Sequence, residues 1–111
     1  MSAKFSNNQL NNDITSVVMS SLGIEQALDH VWSLINKQAV AQANTACAEL
    51  NVMFPNSADA WYASSFLAFQ LKNFAQAILL IDNAIALEPQ NTQWQLHKIQ
   101  SLLLSGDIKL A

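Results

Sequence analysis

Three side chains are the first candidates for acid–base or nucleophilic chemistry in this chain: His30, His97 and Cys47. A metal or acid–base role needs partners that converge on the histidine. Asp29 adjoins His30, but successive side chains on a helix point about 100° apart. The sequence contains no H-x-x-x-H pattern and no paired-carboxylate spacing. We therefore expect both histidines to lie at the surface or at its boundary with the core.

Cys47 is the single cysteine, which excludes a disulfide within the chain and a multi-cysteine zinc site. It falls in an apolar stripe of helical spacing, whereas a nucleophile would need an exposed position and an activating base. We expect Cys47 to be a small buried hydrophobic residue. The sequence also lacks a glycine-rich phosphate loop. It therefore predicts no catalytic, cofactor-binding or metal-ligating residue, and a protein that is not an enzyme.

The composition predicts one small helical protein. Hydrophobic residues make up 51% of the 111 residues and charged residues 12%, which is enough apolar material for a core. Two glycines and two prolines are too few for the many tight turns of a β-sandwich. The net charge of −3, with five scattered lysines and no arginine, argues against nucleic-acid binding. No apolar run approaches the roughly 20 residues that span a bilayer, so we expect a cytoplasmic protein without membrane contact.

Apolar residues recur at steps of three and four from residue 24 onward, which predicts a series of helices. The five predicted helices start at about Ile24, Val40, Ala58, Phe74 and Thr92. Pro55 and Pro89 follow the second and the fourth helix, because proline cannot continue a helix. We assign residues 1–22 to an N-terminal lead segment that is long enough for one short helix, and residues 23–111 to the helical domain.

A shift of the sequence by 34 residues superimposes these features. Ala43 falls on Ala77, and Pro55 falls on Pro89. Chance would not align helix breakers, small residues and apolar residues together. The unit is a pair of antiparallel helices, repeated about two and a half times. The repeats span about residues 24–57 and 58–91, with a half repeat over 92–111.

Residues 58–91 form the clearest unit, ADAWYASSFLAFQLKNFAQAILLIDNAIALEPQN. A 34-residue period with helix breakers and small residues at these positions resembles the tetratricopeptide repeat (TPR) family. The matching positions are Trp61, Ser65, Phe74, Ala77, Ala84 and Pro89. The unit departs from the family pattern at Ser64 and Ala68. The resemblance implies an all-α, TPR-like helical-hairpin solenoid of about five helices, preceded by the short N-terminal segment.

In TPR proteins the first helix of each repeat lines a concave groove that holds a peptide or a helix. The positions of this chain that match the groove-lining ones are Leu28, Trp32, Ile35, Asn36, Tyr62, Phe66, Phe69, Gln70, Leu96, Gln100 and Leu103. The resemblance thus implies a non-enzymatic protein–protein interaction module with an apolar, aromatic groove for a peptide or an amphipathic helix. Packing between the repeats is the alternative role of the same side chains. The basic clamp with which one branch of the family holds acidic tails is absent.

The end of the last helix is a further candidate interaction surface. Leu102, Leu103 and Leu104 would lack a partner helix within the chain and would be exposed. Burial of one such leucine contributes roughly 1.5–3 kcal/mol, so we expect either homo-oligomers through this face or a longer protein. Two alternatives to the interaction module therefore stay open. They are a self-assembling scaffold and the N-terminal TPR portion of a larger enzyme, such as a sulfotransferase or a glycosyltransferase.

Overall fold

The computed structural model describes residues 23–106, and these residues fold into five α-helices. They are α1 (Ile24–Asn36), α2 (Val40–Met53), α3 (Ala58–Gln70), α4 (Phe74–Leu87) and α5 (Thr92–Ser105). No strand occurs between residues 23 and 106, so the all-α prediction and the predicted number of helices are confirmed for this part of the chain. The predicted lead over residues 1–22, and residues 107–111 of the predicted half repeat, lie outside the described residues.

The helix boundaries repeat with the predicted period. The helices α1, α3 and α5 begin at residues 24, 58 and 92, a step of 34 residues each time. The helices α2 and α4 begin at residues 40 and 74 and end at residues 53 and 87. Pro55 and Pro89 follow these two ends at the same spacing. The helices therefore begin and end close to where the local sequence predicts.

Short polar side chains and one glycine define the ends of α3 and α5. The Ser57 hydroxyl accepts a hydrogen bond from the Ala60 N–H at 3.2 Å where α3 begins. Asn91 caps α5 in the same way, accepting from the Gln93 N–H at 2.9 Å. Side chains in this position accept from backbone donors of the first turn, which lack the usual carbonyl four residues earlier. The Ala60 N–H also donates to the Ser57 carbonyl at 3.1 Å. At its other end α5 stops at Gly106, whose φ of 82° is left-handed and favours glycine.

Each helix packs against the next one along the chain, and α1 also packs against α3. Two groups of buried side chains form the core. The larger group joins α1, α2 and α3 around Val31 and Leu50. Its fully buried alanines, which let the helices approach closely, are Ala27, Ala43, Ala46, Ala60 and Ala63. The smaller group joins α3, α4 and α5 around Ile81 and Trp94.

Candidate functional site

A continuous set of aromatic rings connects α1, α3 and α5. The ring centroid of Trp32 on α1 lies 5.1 Å from that of Phe66 and 5.8 Å from that of Tyr62, both on α3. Tyr62 in turn lies 4.7 Å from Trp94 and 5.3 Å from His97, both on α5. The rings are tilted or edge-on to one another, an arrangement in which aromatic pairs attract beyond simple burial. Contacts between rings therefore help to hold these three helices together.

A cleft of about 400 Å³ opens beside these rings, and we call it the acidic aromatic cleft. Its lining residues are Glu25, Leu28, Asp29 and Trp32 from α1, Asp59 and Tyr62 from α3, and Gln93 and Trp94 from α5. Ligand sites are typically concave surfaces of roughly 300–1,000 Å³ in which a few polar groups stand among apolar ones. The acidic aromatic cleft has that size, and it is more polar than such sites usually are, because four of its eight lining residues are charged or amide side chains. Its combination of carboxylates with aromatic rings makes it the candidate functional site.

The acidic aromatic cleft carries negative charge that no described residue neutralises. Glu25, Asp29 and Asp59 line it, and no lysine or histidine between residues 23 and 106 does. Within residues 23–106 there is one ion pair, between Lys98 Nζ and Asp82 Oδ1 at 2.8 Å, and neither partner lines the cleft. The three lining residues are exposed. Their carboxylates are therefore available to a positively charged ligand.

Two aromatic side chains of the cleft also keep a polar group free. Among residues 23–106, the Trp32 indole N–H and the Tyr62 hydroxyl have no hydrogen-bond partner, and both groups reach solvent. The Trp94 indole N–H differs, because it donates to Glu88 Oε1 at 3.1 Å. Trp32 and Tyr62 therefore offer a bound ligand both an aromatic surface and a hydrogen-bonding group.

The structure distributes the predicted groove residues over different surroundings. Leu28, Trp32 and Tyr62 line the acidic aromatic cleft. Ile35 and Gln70 line a second cleft of about 470 Å³ near the ends of α1 and α3. Ile35 is only 3% exposed and belongs to the core, so it contributes to packing between helices rather than to an open surface.

The remaining predicted groove residues divide between packing positions and exposed positions. Phe66 and Phe69 are half-buried, and the Phe69 ring lies 5.4 Å from Phe74 and 5.2 Å from His97. Both phenylalanines therefore pack against neighbouring rings. The positions that are exposed and line neither of the two clefts are Asn36, Leu96, Gln100 and Leu103.

Five lining residues of the cleft were not among the predicted groove residues: Glu25, Asp29, Asp59, Gln93 and Trp94. The 34-residue period is the signal that identifies three of them, because Glu25, Asp59 and Gln93 occupy the same position of successive repeats. All three lie in the first turn of their helix. The apolar repeat positions predict an apolar groove. The surface at this cleft instead combines carboxylates with aromatic rings.

A buried polar contact next to the rings corrects the prediction for His97. The prediction of a surface or boundary position is wrong for this residue, which is 7% exposed and lies in the core. His97 Nε2 lies 2.8 Å from Ser65 Oγ, and the Ser65 hydroxyl donates to the Ala77 carbonyl at 2.7 Å. Burial lowers the pKa of His97 below its ordinary value of 6.5. The ring is therefore neutral near pH 7. His30 is half-buried, as predicted.

Cys47 is a buried free thiol, as predicted, with 5% of its surface exposed. Burial raises the pKa of this thiol, and a hydrogen bond with Ser64 opposes the shift only in part. The thiol therefore stays protonated at neutral pH, and the protonated form is a poor nucleophile. Nothing in this arrangement favours covalent chemistry at Cys47.

Comparisons of the chain with protein-family models, with curated proteins and with solved structures find no match. Of the five helices between residues 23 and 106, none is long and apolar enough to cross a membrane. In the same part of the chain, no three histidine, cysteine, aspartate or glutamate side chains are grouped so that they could hold a metal ion. The function must therefore be inferred from the cleft and from the 34-residue repeat.

Proposed function

We propose that this chain is a TPR-like, non-enzymatic interaction module that holds a segment of a partner protein in the acidic aromatic cleft. Two features support the proposal. The helix boundaries repeat with the 34-residue period of the family that the sequence resembles. The cleft is lined by α1, α3 and α5, and the first helices of the repeats line the binding groove in that family.

The observation that carries the proposal is the concentration of available binding groups in one cleft. Trp32 and Tyr62 are half-buried there, and their side-chain polar groups have no hydrogen-bond partner within the described residues. Exposed carboxylates stand beside them. Tryptophan and tyrosine side chains supply much of the binding energy in protein interfaces, because they combine a large apolar surface with a polar group. Packing between the repeats accounts for the contacts between rings, and it leaves the cleft open to a ligand.

Peptide selection followed by titration tests the proposal. A displayed library of random peptides is selected on the immobilised chain, and the selected peptides are titrated against wild type, Tyr62→Ala and Leu79→Ala. Leu79 is the matched control, because it is 62% exposed on α4 and does not line the cleft. We expect Tyr62→Ala to weaken binding about tenfold or more, as for an interface anchor, and Leu79→Ala to leave it unchanged.

The same experiment can contradict the proposal in two ways. The cleft is not the binding site if the selected peptides bind Tyr62→Ala as tightly as wild type. The chain is not a peptide-binding module if no peptide emerges from the selection. Circular dichroism melts of both variants establish that a loss of binding does not come from a loss of folding.

A second candidate function, self-association, is supported by apolar surface on α5. Leu96, Ile99, Leu103 and Leu104 are 60%, 47%, 43% and 59% exposed. The predicted exposure is confirmed for Leu103 and Leu104, whereas Leu102 is half-buried. A contiguous exposed apolar patch marks an interaction surface, and a second copy of the chain would bury this one. The alternative of a TPR portion of a larger enzyme stays a prediction.

A further inference from the structure

We propose that the acidic aromatic cleft recognises a basic segment of the partner protein, with an arginine or lysine side chain held against Trp32 and Tyr62 beside the carboxylates of Asp29 and Asp59. This inference rests on the proposed function and specifies the chemistry of the ligand. The charge of the cleft, the aromatic surface within it and the poor fit of other ligand classes all favour a basic segment.

The charge of the cleft is complementary to a cation. Glu25, Asp29 and Asp59 approach one cleft from two helices, and none of them has an ion-pair partner among residues 23–106. A cation bound in the cleft would be attracted to all three carboxylates at once. The formal net charge of −3 at pH 7 has the same sign and favours the approach of a basic partner.

The aromatic surface of the cleft suits the same ligand. A guanidinium or ammonium group is attracted to the face of a tryptophan or tyrosine ring within about 6 Å of its centroid. The Trp32 and Tyr62 centroids are 5.8 Å apart and their planes are inclined at 46°, so the two rings offer neighbouring surfaces to one side chain. Arginine stacks on aromatic rings and pairs with carboxylates through two N–H groups. We therefore expect arginine to bind more tightly than lysine.

Other classes of ligand fit the cleft less well. Its carboxylates are not grouped as three donors around one metal position. No basic residue of the described part of the chain lines it, so a phosphate, an acidic tail or a nucleic acid would meet only negative charge from those residues. A purely apolar helix would bury the carboxylates without pairing them, which is costly. A basic segment with apolar neighbours satisfies both kinds of surface.

Two of the three carboxylates also stabilise the starts of helices. The third does not, so a substitution of the third tests binding alone. Glu25 and Asp59 lie in the first turns of α1 and α3, where a negative charge stabilises the start of a helix. Asp29 lies in the second turn of α1 and lines the same cleft. Neutralising Asp29 therefore changes the charge of the cleft without weakening a helix terminus.

The test is a fluorescence-anisotropy titration with a labelled peptide that alternates arginine with alanine. Peptides of equal length that alternate lysine, glutamine or glutamate with alanine are titrated beside it. We expect the arginine peptide to bind most tightly, followed by the lysine peptide, with the glutamate peptide weakest. Asp29→Asn should weaken the arginine peptide about two- to fivefold, as for one exposed ion pair. Asp29→Lys should weaken it further and strengthen binding of the glutamate peptide.

The matched control is Glu49→Gln, which removes a carboxylate from α2, outside the cleft. Equal weakening by Glu49→Gln and Asp29→Asn would show that the peptide responds to overall charge, and would overturn the inference. Displacement of the labelled arginine peptide by spermidine at an equal concentration of positive charge would also overturn it, because the site would then take small cations rather than a protein segment.

The two peptide experiments distinguish a failure of the basic-ligand inference from a failure of the proposed function. If the arginine and glutamine peptides bind equally well and both depend on Tyr62, the interaction module stands and the basic ligand is wrong. The same conclusion follows if the library peptides bind the cleft and none of the four alternating peptides does: the interaction module stands and the basic ligand is wrong. If the library yields no binder and the alternating peptides do not bind either, both proposals fail.

Discussion

The Ser65 hydroxyl oxygen lies 2.8 Å from His97 Nε2 and 2.7 Å from the carbonyl oxygen of Ala77, so one small side chain links α3 to both α4 and α5. A hydroxyl has one proton, and a carbonyl can only accept. The Ser65 proton therefore goes to Ala77, and His97 must donate from Nε2. Ser65 and Ala77 are fully buried and His97 is 7% exposed, so water would not readily replace either bond.

Replacing Ser65 with alanine should destabilise the fold with little change in side-chain volume. The His97 Nε2–H is left without its partner, and a buried unpaired donor costs about 1–3 kcal/mol of the free energy of unfolding. Ser33→Ala on α1 is the control, because Ser33 is half-buried and its hydroxyl has no bond among residues 23–106. Urea unfolding of the two variants measures the difference. Equal losses would show that the contact contributes no net stability.

The buried His97 should make the protein less stable as the pH falls below about 6.5. Burial lowers its pKa in the folded state below the ordinary value of 6.5. Below that pH the unfolded chain binds a proton that the folded chain does not, so the free energy of unfolding falls as pH decreases. The loss continues until the pH reaches the lower pKa of the folded state. Above the ordinary pKa of 6.5, the contribution of His97 to the free energy of unfolding is fully present.

Thermal melts between about pH 7.5 and 5.5, a range above most carboxylate pKa values, measure this effect. His97→Gln is the comparison, because an amide can donate one hydrogen bond to Ser65 and does not titrate. His30 is present in both proteins, so its contribution cancels. We expect the Tm of wild type to fall more than that of His97→Gln across this range. Parallel curves would exclude His97 as the cause of the pH dependence.

The helix boundaries could be predicted from the sequence because the signals that set them are local. Pro55 and Pro89 end helices wherever the surrounding chain is placed, and Ser57 and Asn91 cap helices through bonds within one turn. The 34-residue spacing then aligns these signals along the chain. None of these inferences requires knowledge of which helix packs against which.

The environment of each repeat position could not be predicted in the same way. Asp29, Ala63 and His97 occupy the same position of successive repeats, yet Asp29 is exposed while Ala63 and His97 are buried. The reason is packing: Ala63 lies in the core shared with α1 and α2, and His97 contacts α3. Asp29 is exposed at the cleft instead.

Enlarging Ala77 should separate helices that pack closely. Ala77 on α4 is fully buried, and its carbonyl accepts the bond from Ser65. Ala77→Leu adds volume where no space exists and should cost about 1–3 kcal/mol through overpacking. Ala75→Leu makes the same change at an exposed position of the same helix, where the effect should stay within about 0.5 kcal/mol. Similar thermal midpoints for the two variants would contradict the burial of Ala77 against neighbouring helices.

Self-association through α5 should appear as a change of solution mass with concentration. Leu96 and Leu104 are 60% and 59% exposed, and a second copy would bury such side chains for roughly 1.5–3 kcal/mol each. Light scattering should therefore show the mass rising from one chain towards two as concentration increases. Leu96→Gln combined with Leu104→Gln should keep the chain monomeric, because each amide would have to lose water to enter the interface.

The control for this experiment is Val52→Gln, which makes a comparable change at a position of α2 that is 78% exposed. It should associate like wild type if α5 is the interface. A wild type that stays monomeric at the highest concentration would contradict self-association, and so would a loss of dimer in Val52→Gln equal to that in the α5 variant.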